Sequence, residues 1–496
     1  MSASQQVVPS GSGTTLSRRR LLLALGGTVG GMLALSACGG AAATSASATA
    51  ATVTKTVAST ATVTHAVTST VTQATTATVT KAATVAGKVV IVEEWSGWGP
   101  GTPEEKAFEA GVAKFNASHP NIHVVVSPGM GLTNKTQVAI AAGTPPDTGV
   151  PMGGGFLASW AASGAVQPLD SYIATAKLDT KLYVPGIFQE AIYRGKVYGL
   201  PLLFNDRAFF WNKNEFQAAG FPADKPPATL EDFLSYATEL TKANASGNLT
   251  QLGFTGGFPR LPGDYPGFAL YAMAFGAELY SADMTKVTCD SAACINAMDW
   301  MYSFIPRERG YAAIEAFHKS WQHIDPEEAD IAMNVDGEWK AGSNPSFHPT
   351  AHGYAPLPPP KAQPNRSGVT DVDGHQLFIT KGAKQPDATF TFLSWITTDV
   401  PTTIQMSLAS ANLPQLLSTL DAPELRKNPA FAVYLDIAKG PNARPFPVIP
   451  IWGDYWHALW EATDKVFKGT TTAQAALGDV KPVIQAKLDA YLKTLK

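Results

Sequence analysis

The sequence has 496 residues, with 37 Lys and Arg against 40 Asp and Glu, which gives a formal net charge of −3. This balance excludes the basic surplus that nucleic-acid-binding proteins carry. Hydrophobic residues make up 45 % of the chain and charged residues 16 %, so most of the chain can bury a core and bulk disorder is excluded. Three cysteines are too few for a disulfide-based scaffold or a cysteine-rich metal site.

The N-terminal segment has the order of parts that an export signal requires. Arg18-Arg19-Arg20 precede Leu21–Ala37, an uncharged apolar run that is short for a membrane span and typical of a signal-peptide core. The run ends in Leu35-Ser36-Ala37-Cys38, which resembles a bacterial lipobox, while the arginines resemble a twin-arginine signal. We therefore predict a signal peptide over residues 1–37 and a lipid on Cys38. Sec export and an uncleaved membrane anchor are the alternatives.

Residues 38–87 are predicted to be a tether. From Gly39 to Gly87 the chain is built almost entirely of Ala, Thr, Val and Ser, with no aromatic residue, Leu or Ile that could form a core. A flexible chain of this length spans about 40 Å on average. Such a spacer would hold a folded body away from the membrane surface, and its threonines are potential glycosylation sites.

From residue 88 onward the sequence alternates strand and helix patterns. Val89–Val92 is a continuous apolar run, typical of a parallel strand that is buried on both faces. Thr102–Glu105 has the form of a capping box with proline at the first helical position. Further strands are predicted over Ile122–Val126 and after Asp147. The alternation predicts an α/β fold with a largely parallel sheet and ligands at the carboxyl ends of its strands. An apolar stripe at helical spacing follows the capping box: Phe108, Val112 and Phe115.

Two segments predict crossings between lobes. Leu202–Trp211 is a long apolar strand interrupted by Asn205-Asp206-Arg207, and a polar triplet at that point favours backbone that bends beside a cleft. Pro356–Pro360 predicts a second crossing, with a return strand over Gln376–Thr380, and a helix-rich section over Thr229–Phe304 lies between the crossings. A chain that leaves a lobe and returns to it forms two discontinuous lobes joined by a hinge.

Several short sequence segments follow one another in an order that indicates a protein family. They are Phe115-Asn116 ahead of Ile122-His123-Val124, Ala141–Asp147, Gly164–Asp170, Gly195–Pro201 ahead of Trp211-Asn212-Lys213, Pro227–Phe233, Ala332–Trp339, and Phe467-Lys468-Gly469 ahead of Ala475-Ala476-Leu477. In this order, behind a lipobox, they resemble the extracytoplasmic solute-binding proteins of ABC importers, in the family that includes maltose-binding protein. The order over nearly all of residues 88–496 carries the resemblance, since no single segment is specific.

The resemblance implies a two-lobed periplasmic-binding-protein fold of type II. Lobe 1 is expected over residues 88–204 plus 371–410, and lobe 2 over residues 205–370 plus 411–496. Two lobes would close on a solute, and the closed form would dock on the permease subunits in the membrane, which requires a ligand that binds the closed state better. The protein is then expected to be an extracytoplasmic, lipid-anchored monomer without enzymatic activity, nucleic acid or cofactor.

A carbohydrate site combines aromatic faces for the C–H side of a pyranose with planar polar groups for its hydroxyls. The resemblance places candidate ligand-binding residues in the loop after the first strand, near the third strand, at both crossings and at two stacking positions. They are Trp95, Ser96, Trp98, Gly153, Asn205, Asp264, Tyr265, Trp339, Asp373 and Trp456, with His375 as a weaker candidate.

The candidates also have structural interpretations. Trp95, Trp339 and Trp456 can be core residues, Asn205 can bond to hinge backbone, and Asp264 can cap the helix that follows it. Other tryptophans lie in helical stripes and are assigned to the core: Trp160, Trp300, Trp321 and Trp395.

One segment departs from the maltose-binding pattern. Pro151–Gly155 stands where that pattern has an aromatic residue and charged residues for sugar hydroxyls. These contacts are absent or replaced by backbone N–H groups such as that of Gly153. Maltose is therefore not assumed, and a larger or differently shaped solute is equally expected.

Cysteine and histidine give weaker signals. Cys289 and Cys294 flank a predicted helix start, and export favours a small local disulfide between them, with two buried thiols as the alternative. Two histidine pairs have spacings that could serve a metal, but neither is accompanied by a Cys or carboxylate cluster, so no metal site is predicted. The pairs are His318 with His323 and His348 with His352.

Two classes of function remain. The first is a receptor that delivers a carbohydrate to an ABC importer, with a peptide, polyamine or glycerophosphodiester as the alternative solute. A strongly anionic solute would need Arg or Lys in the cleft, and Arg207 and Arg260 are the residues that the sequence places near it. The second class is a secreted carbohydrate-active enzyme, which needs two carboxyl groups about 5–10 Å apart across the cleft. No motif joins any two of its candidate acids, which are Glu94, Asp206, Asp264 and Glu338.

Overall fold

The computed structural model describes residues 88–130, 133–150, 156–254, 267–319, 331–342, 351–445 and 448–495. Ala83–Lys496 forms one compact unit. The predictions for the signal peptide, for Cys38 and for the tether lie outside the described residues, as do those for Gly153, Asp264 and Tyr265. Among the described helices, none combines the length and the apolar character that crossing a bilayer requires.

Strands and helices alternate along the described chain. The strands are β1 Val90–Ser96, β2 Ile122–Ser127, β3 Thr148–Val150, β4 Ile192–Tyr193, β5 Lys196–Val197, β6 Leu200–Asn205, β7 Arg207–Asn212, β8 Lys242–Ala243, β9 Leu249–Phe254, β10 Ile331–Gly337, β11 His352–Ala355, β12 Thr370–Leu377, β13 Leu413–Pro414 and β14 Ala443–Pro445. The helices are α1 Pro103–Ser118, α2 Thr133–Ala141, α3 Leu157–Ala162, α4 Asp170–Ala176, α5 Pro185–Glu190, α6 Lys213–Ala218, α7 Leu230–Leu240, α8 Gly267–Ala274, α9 Ala292–Tyr302, α10 Phe304–Arg307, α11 Tyr311–Lys319, α12 Trp339–Gly342, α13 Pro386–Thr398, α14 Val400–Ser410, α15 Pro429–Ala438, α16 Trp452–Phe467 and α17 Ala473–Lys493.

The first sheet has the order β2-β1-β3 and is parallel. Its register begins with Val90 opposite Ile122, which confirms the two predicted strands. Val92 is fully buried, but Ile91 on the other face is 48 % exposed. The prediction that β1 is buried on both faces is therefore wrong, because side chains alternate along a strand and only one face of this end of the sheet is packed.

Helix α1 begins where the sequence predicts. The Thr102 hydroxyl oxygen accepts a hydrogen bond from the Glu105 backbone N–H at 3.3 Å, and Pro103 occupies the first turn. The predicted apolar stripe is buried. The capping box is only half formed, because the buried Glu105 carboxylate accepts a hydrogen bond from the Ser96 hydroxyl and is thereby tied to the end of β1.

The predicted long strand over Leu202–Trp211 is two strands that belong to different sheets. β6 lies in the sheet β13-β6-β12-β14, and β7 lies in the sheet β11-β7-β10-β9-β8. The break falls at Asp206, in the middle of the polar triplet, so the chain changes sheets at the point where the sequence predicts the first crossing. β6 pairs antiparallel with β12, and β7 pairs antiparallel with β10 and β11. The prediction of a largely parallel sheet is therefore wrong at the crossing, because β12 runs antiparallel to β6, and β10 and β11 run antiparallel to β7.

The return strand starts earlier than predicted. β12 begins at Thr370, well before Gln376, and all its residues are buried. It places Asp373 opposite Asn205 in the register with β6. The sequence of β12, Thr-Asp-Val-Asp-Gly-His-Gln-Leu, is mostly polar although every residue is buried, so it lacks the apolar run by which a strand buried on both faces is recognised.

Hydrophobic clusters lie on either side of the crossings. One is built from β7, β9 and β10 with helices α7 to α11, α16 and α17. Another is built from β1, β2, α1 and α13, with part of β6. A third surrounds α15 and contains Phe204, Ala208 and Val372 of the crossing strands. The lobe boundaries themselves stay a prediction.

Cys289 and Cys294 are both buried free thiols, so the expected local disulfide is not formed. The Cys289 Sγ faces the Leu477 carbonyl oxygen at 3.7 Å, and the Cys294 Sγ faces the Thr288 carbonyl oxygen at 3.8 Å. Each thiol thus has its own backbone acceptor. Burial raises the pKa of both thiols to about 11.

Candidate functional site

A network of side-chain hydrogen bonds lies at the crossing strands, which are β6, β7 and β12. The Asn205 amide donates to Asp373 Oδ1 at 2.9 Å and its Oδ1 accepts from Asn412 Nδ2 at 2.5 Å. Asn412 Nδ2 also donates to Glu338 Oε1 at 2.9 Å, and Glu338 Oε2 accepts from the Asp206 backbone N–H at 3.2 Å. Four segments that are distant in sequence are thereby joined by planar amide and carboxylate groups.

Arg207 is a buried cation in this region, with 2 % of its surface exposed. Its guanidinium forms an ion pair with Asp371 at 3.6 Å and donates to the Asp206 carbonyl oxygen at 3.1 Å. Its backbone N–H donates to the Thr370 hydroxyl at 2.7 Å. Arg207, the first residue of β7, is therefore held by contacts with β12 and with the Asp206 backbone.

Several carboxyl groups are buried around this guanidinium, and burial disfavours their charged forms. It raises the pKa of Glu338 to about 8 against the lowering effect of Arg207, and it raises the pKa of Asp371 to about 6. The pKa values of Asp206 and Glu190 are raised well above their ordinary values by the same desolvation, with neighbouring carboxylates adding to the effect. These shifts all favour the neutral forms of the buried carboxyl groups.

Trp339 lies directly beside this network. It is half-buried at the start of α12, immediately after Glu338. The Arg207 Cζ lies 4.9 Å from the centroid of its ring, a cation–π arrangement. An aromatic side chain and planar hydrogen-bonding groups thus converge at the crossing strands.

Trp456 is half-buried on α16, with its ring 6.0 Å from that of Trp452. It also lies against Gly267, the first residue of α8. Trp95 is half-buried at the carboxyl end of β1, next to the end of β3. The structure leaves both side chains partly accessible.

Ser96 and Trp98 are buried and serve local structure. The Ser96 hydroxyl donates to the Glu105 carboxylate and accepts from the Trp98 backbone N–H at 3.2 Å. The Trp98 ring packs against Phe108 at 5.5 Å and against His375 at 5.1 Å between centroids. Side chains held in this way are contacts of the core rather than of an open surface.

The structure also bears on two structural interpretations: the bonding of Asn205 to backbone and the assignment of the tryptophans in helical stripes to the core. The hydrogen bonds of the Asn205 side chain go to Asp373 and Asn412 side chains. Trp160 and Trp300 are buried in the core as expected, and Trp395 packs against Phe115 at 5.6 Å between ring centroids. Trp321 lies outside the described residues.

Sequence reasoning missed Asn412 altogether. It lies in the short segment between α14 and β13, after Ala411, whose φ of 56° is left-handed. No motif or periodicity distinguishes this asparagine, and it is 207 residues from its partner Asn205. The sequence places Glu338 among the candidate acids and in the Ala332–Trp339 segment, and it places Arg207 in the polar triplet and near an anionic solute. It predicts neither the hydrogen bond between Glu338 and Asn412 nor the contact of Arg207 with Trp339.

In the described part of the chain, no group of three or more His, Cys, Asp or Glu residues is arranged to hold a metal ion. Of the histidines considered in the sequence, His323 and His348 lie outside the described residues.

A cavity of about 690 Å³ is lined by other residues, among them Tyr193, Arg194, Tyr280 and Tyr491. Two charged groups of its lining, Arg444 and Glu278, pair with each other at 2.8 Å. The lining also contains one further residue of each charge, Arg194 and Asp283, and is otherwise mostly apolar, so the cavity points to no particular ligand chemistry.

Comparison with known proteins gives a consistent result. The sequence profile of the bacterial extracellular solute-binding proteins matches residues 99–403, more than half of the chain. The chain is 24 % identical over 412 residues to a maltotriose-binding protein of Pyrococcus abyssi, and the aligned region covers 83 % of each protein. It is 23 % identical over 399 residues to a putative binding protein of Brucella abortus, covering 78 % of this chain and 90 % of that one.

Solved structures show the same similarity. A binding protein solved with mannotriose bound superimposes with a TM-score of 0.66 and 25 % identity, covering 80 % of this chain and 100 % of that one. The cyclic alpha-maltosyl-1,6-maltose binding protein from Arthrobacter globiformis superimposes with a TM-score of 0.67 and 20 % identity, over 81 % of this chain and 99 % of that one. The fold is the two-lobed periplasmic-binding-protein fold of type II, as expected.

Proposed function

The chain belongs to the bacterial extracellular solute-binding protein family, and we propose that it is the carbohydrate receptor of an ABC importer. The family is extracellular and its members bind solutes, so the protein acts outside the cytoplasm as a binding protein. The observation that carries the choice of a carbohydrate is the half-buried Trp339 beside the amide and carboxylate network of Asn205, Asp373 and Asn412.

The chemistry of this arrangement favours a sugar. An indole ring packs against the C–H face of a pyranose, and planar amides and carboxylates bond its hydroxyl groups in fixed directions. Asn205 on β6 and Asp373 on β12 lie opposite each other, so one ligand can reach both side chains. The names of related proteins point to oligosaccharides, since they include a maltotriose-binding protein and one solved with mannotriose. Trp95 and Trp456 are proposed as further ligand contacts.

The two rival functions have weaker support. The Arg207 guanidinium already pairs with Asp371, which argues against a strongly anionic solute at this point. For an enzyme, Glu94, Asp206 and Glu338 would have to reach a substrate, and all three are fully buried. Asp264, the other acid considered, lies outside the described residues.

Capture and delivery follow from the family's architecture. We propose that the protein acts as a monomer whose lobes close on the sugar and present the closed form to permease subunits in the membrane. A ligand drives this closure only to the extent that it binds the closed state better.

The N-terminal segments complete the proposal. Residues 1–37 would direct export, through the twin-arginine or the Sec route, and Cys38 would carry the lipid that anchors the protein to the outer face of the cell membrane. Residues 39–87 would tether the body to that anchor. Mass spectrometry of the purified membrane form, with the N-terminal peptide assigned, tests this part separately.

A thermal-shift screen tests the solute class. The protein is heated with monosaccharides and oligosaccharides, with peptides and polyamines as controls. A ligand present at one hundred times its Kd adds about 2.7 kcal/mol to the free energy of unfolding, which raises the midpoint visibly. A shift with one sugar series is the expected result. A shift with peptides or polyamines alone would keep the receptor and discard the carbohydrate, and turnover of an oligosaccharide in a hydrolysis assay would discard the receptor.

A further inference from the structure

We propose that Gly337 and Arg207 are positioning residues that hold the Trp339 ring in the orientation needed to stack on the ligand. The proposal rests on the proposed function, because it gives Trp339 the role of a stacking residue. It goes beyond that function by assigning the orientation of the ring to two residues that need not touch the sugar.

Gly337 leaves the space in which the ring lies. A Cβ atom at this position would be 2.1 Å from Trp339 Cζ3 and 2.3 Å from its Cη2, closer than non-bonded atoms approach. The backbone of Gly337 is not in the left-handed region, so an alanine could adopt its conformation. The requirement for glycine is therefore steric, and it comes from the indole ring.

Arg207 supports the ring from the neighbouring strand. Gly337 and Arg207 are partners in the antiparallel register of β10 and β7, and the guanidinium lies 4.9 Å from the ring centroid. The guanidinium is itself fixed by Asp371 and by the Asp206 carbonyl oxygen. A cation held in this way restricts the ring more than a mobile surface arginine could.

Glu338 fixes the backbone between the glycine and the tryptophan. Its two carboxylate oxygens accept hydrogen bonds from the Asp206 backbone N–H and from Asn412. Trp339 thus starts α12 from an anchored residue and lies over a glycine next to a fixed guanidinium. Such preorganisation raises affinity because the ligand does not have to order the ring.

The same sheet contains a matched control. A Cβ atom at Gly353 in β11 would lie 2.0 Å from Cζ2 of Trp211, so this glycine also accommodates an indole ring. Trp211, however, is 3 % exposed and its Nε1 donates to the Ala223 carbonyl oxygen at 2.8 Å. The two glycines carry the same steric constraint, one toward the proposed site and the other toward the core.

The test compares Gly337→Ala, Gly353→Ala and Trp339→Ala in the full protein, with maltotriose, mannotriose and the best sugar of the screen as probes. We expect Gly337→Ala to weaken sugar binding by about tenfold, as Trp339→Ala does. Gly353→Ala is expected to lower the urea midpoint while its Kd stays within about twofold of the unmodified protein. In the Gly337→Ala/Trp339→Ala double variant the losses should not add, because both changes remove one contact.

Two outcomes overturn the proposal. One is a Gly337→Ala protein that binds sugar as tightly as the unmodified protein. The other is a double variant whose losses add in full, which would show that Gly337 acts independently of Trp339.

A ligand-free readout separates this proposal from the proposed function. Gly337→Ala should alter the near-ultraviolet circular dichroism of the protein, and this difference should vanish when Trp339→Phe is present in both proteins. If no sugar binds the unmodified protein, the proposed function fails whatever the spectrum shows. If the spectrum is unchanged by Gly337→Ala, the positioning of Trp339 fails whatever the sugar does.

Discussion

At Glu338, burial and hydrogen bonding have opposite effects on the pKa of the side chain. It is fully buried, and desolvation raises the pKa of its carboxyl to about 8 although Asn412, Arg207 and the Asp206 backbone N–H favour the charged form. The neighbouring Asp206 and Asp371 also have raised pKa values. Proton uptake by this cluster is therefore coupled to folding.

The raised pKa of Glu338 predicts a stability that falls with rising pH. Its ordinary value is 4.5, so the native state binds the proton more tightly than the unfolded state does. The contribution is fully present below about pH 4.5 and is lost as the pH rises through about 8. Glu338→Gln should therefore lose less free energy of unfolding than the unmodified protein between about pH 5 and pH 8. Urea unfolding across this range measures the difference.

The exposed carboxylate of Glu424 provides the control, since Glu424→Gln removes the same charge at the surface. Its unfolding free energy should follow that of the unmodified protein at every pH. If the free energy of unfolding changes with pH in the same way for all three proteins, the assignment of the raised pKa to Glu338 is wrong.

Helix α7 packs against strand β9 at a position where only a glycine fits. A Cβ atom at Gly253 would lie 2.0 Å from the Ala237 carbonyl oxygen and 2.6 Å from its Cα. Both partners are backbone, so neither can rotate away. We expect Gly253→Ala to lower the free energy of unfolding by about 1–3 kcal/mol, measured by urea unfolding.

Gly478 on α17 is the matched control because a Cβ there would meet no atom within 4 Å. Gly478→Ala should instead stabilise the protein, by about 0.5–1 kcal/mol, since alanine favours the helix. Equal effects of the two substitutions would show that the contact between α7 and β9 is looser than described.

The start of α9 provides a redox prediction. Cys289 and Cys294 are buried and their thiol pKa values are raised to about 11, so little thiolate is present at neutral pH. Iodoacetamide should label neither thiol in the native protein and both in guanidinium chloride without reductant. Peptide mapping by mass spectrometry reads the labels. Recovery of the two cysteines as one disulfide-linked peptide would contradict the free thiols.

The whole molecule has a net charge of −3, and the guanidinium beside Trp339 is paired. Binding of a neutral sugar should therefore depend little on ionic strength. We expect its Kd to change by less than about twofold between about 50 mM and about 500 mM NaCl, measured by isothermal titration calorimetry. A tenfold loss at high salt would indicate a charged solute, and a polyamine titrated in parallel shows the size of such an effect.

Part of the fold follows from local sequence. The Thr102 cap, the stripe of α1 and the parallel start of β1 and β2 each depend on residues close together in the chain, so their patterns can be read directly. The polar triplet at Asn205 also predicts a break in the strand, because buried polar side chains need hydrogen-bond partners from other segments.

The candidate site was predictable only in part, for the same reason. Asn205, Asp373 and Trp339 could be chosen by residue type and by resemblance, and the structure places them in or beside one network. Ser96 and Trp98 were chosen by the same reasoning, yet both are buried in local packing. Residue type does not say which way a loop turns its side chains.

The alternation of strands and helices, the break at the polar triplet and the resemblance to the family can be read directly from the amino-acid sequence. The contact of Asn412 with Asn205, the position of Trp339 over Gly337 and the separation of two thiols that are near each other in sequence became known from the folded chain. The two groups of features differ in the range of the interactions on which they depend. Periodicity and capping are properties of contiguous residues, whereas a hydrogen bond across 207 residues or the space above a glycine exists only once distant segments have packed together.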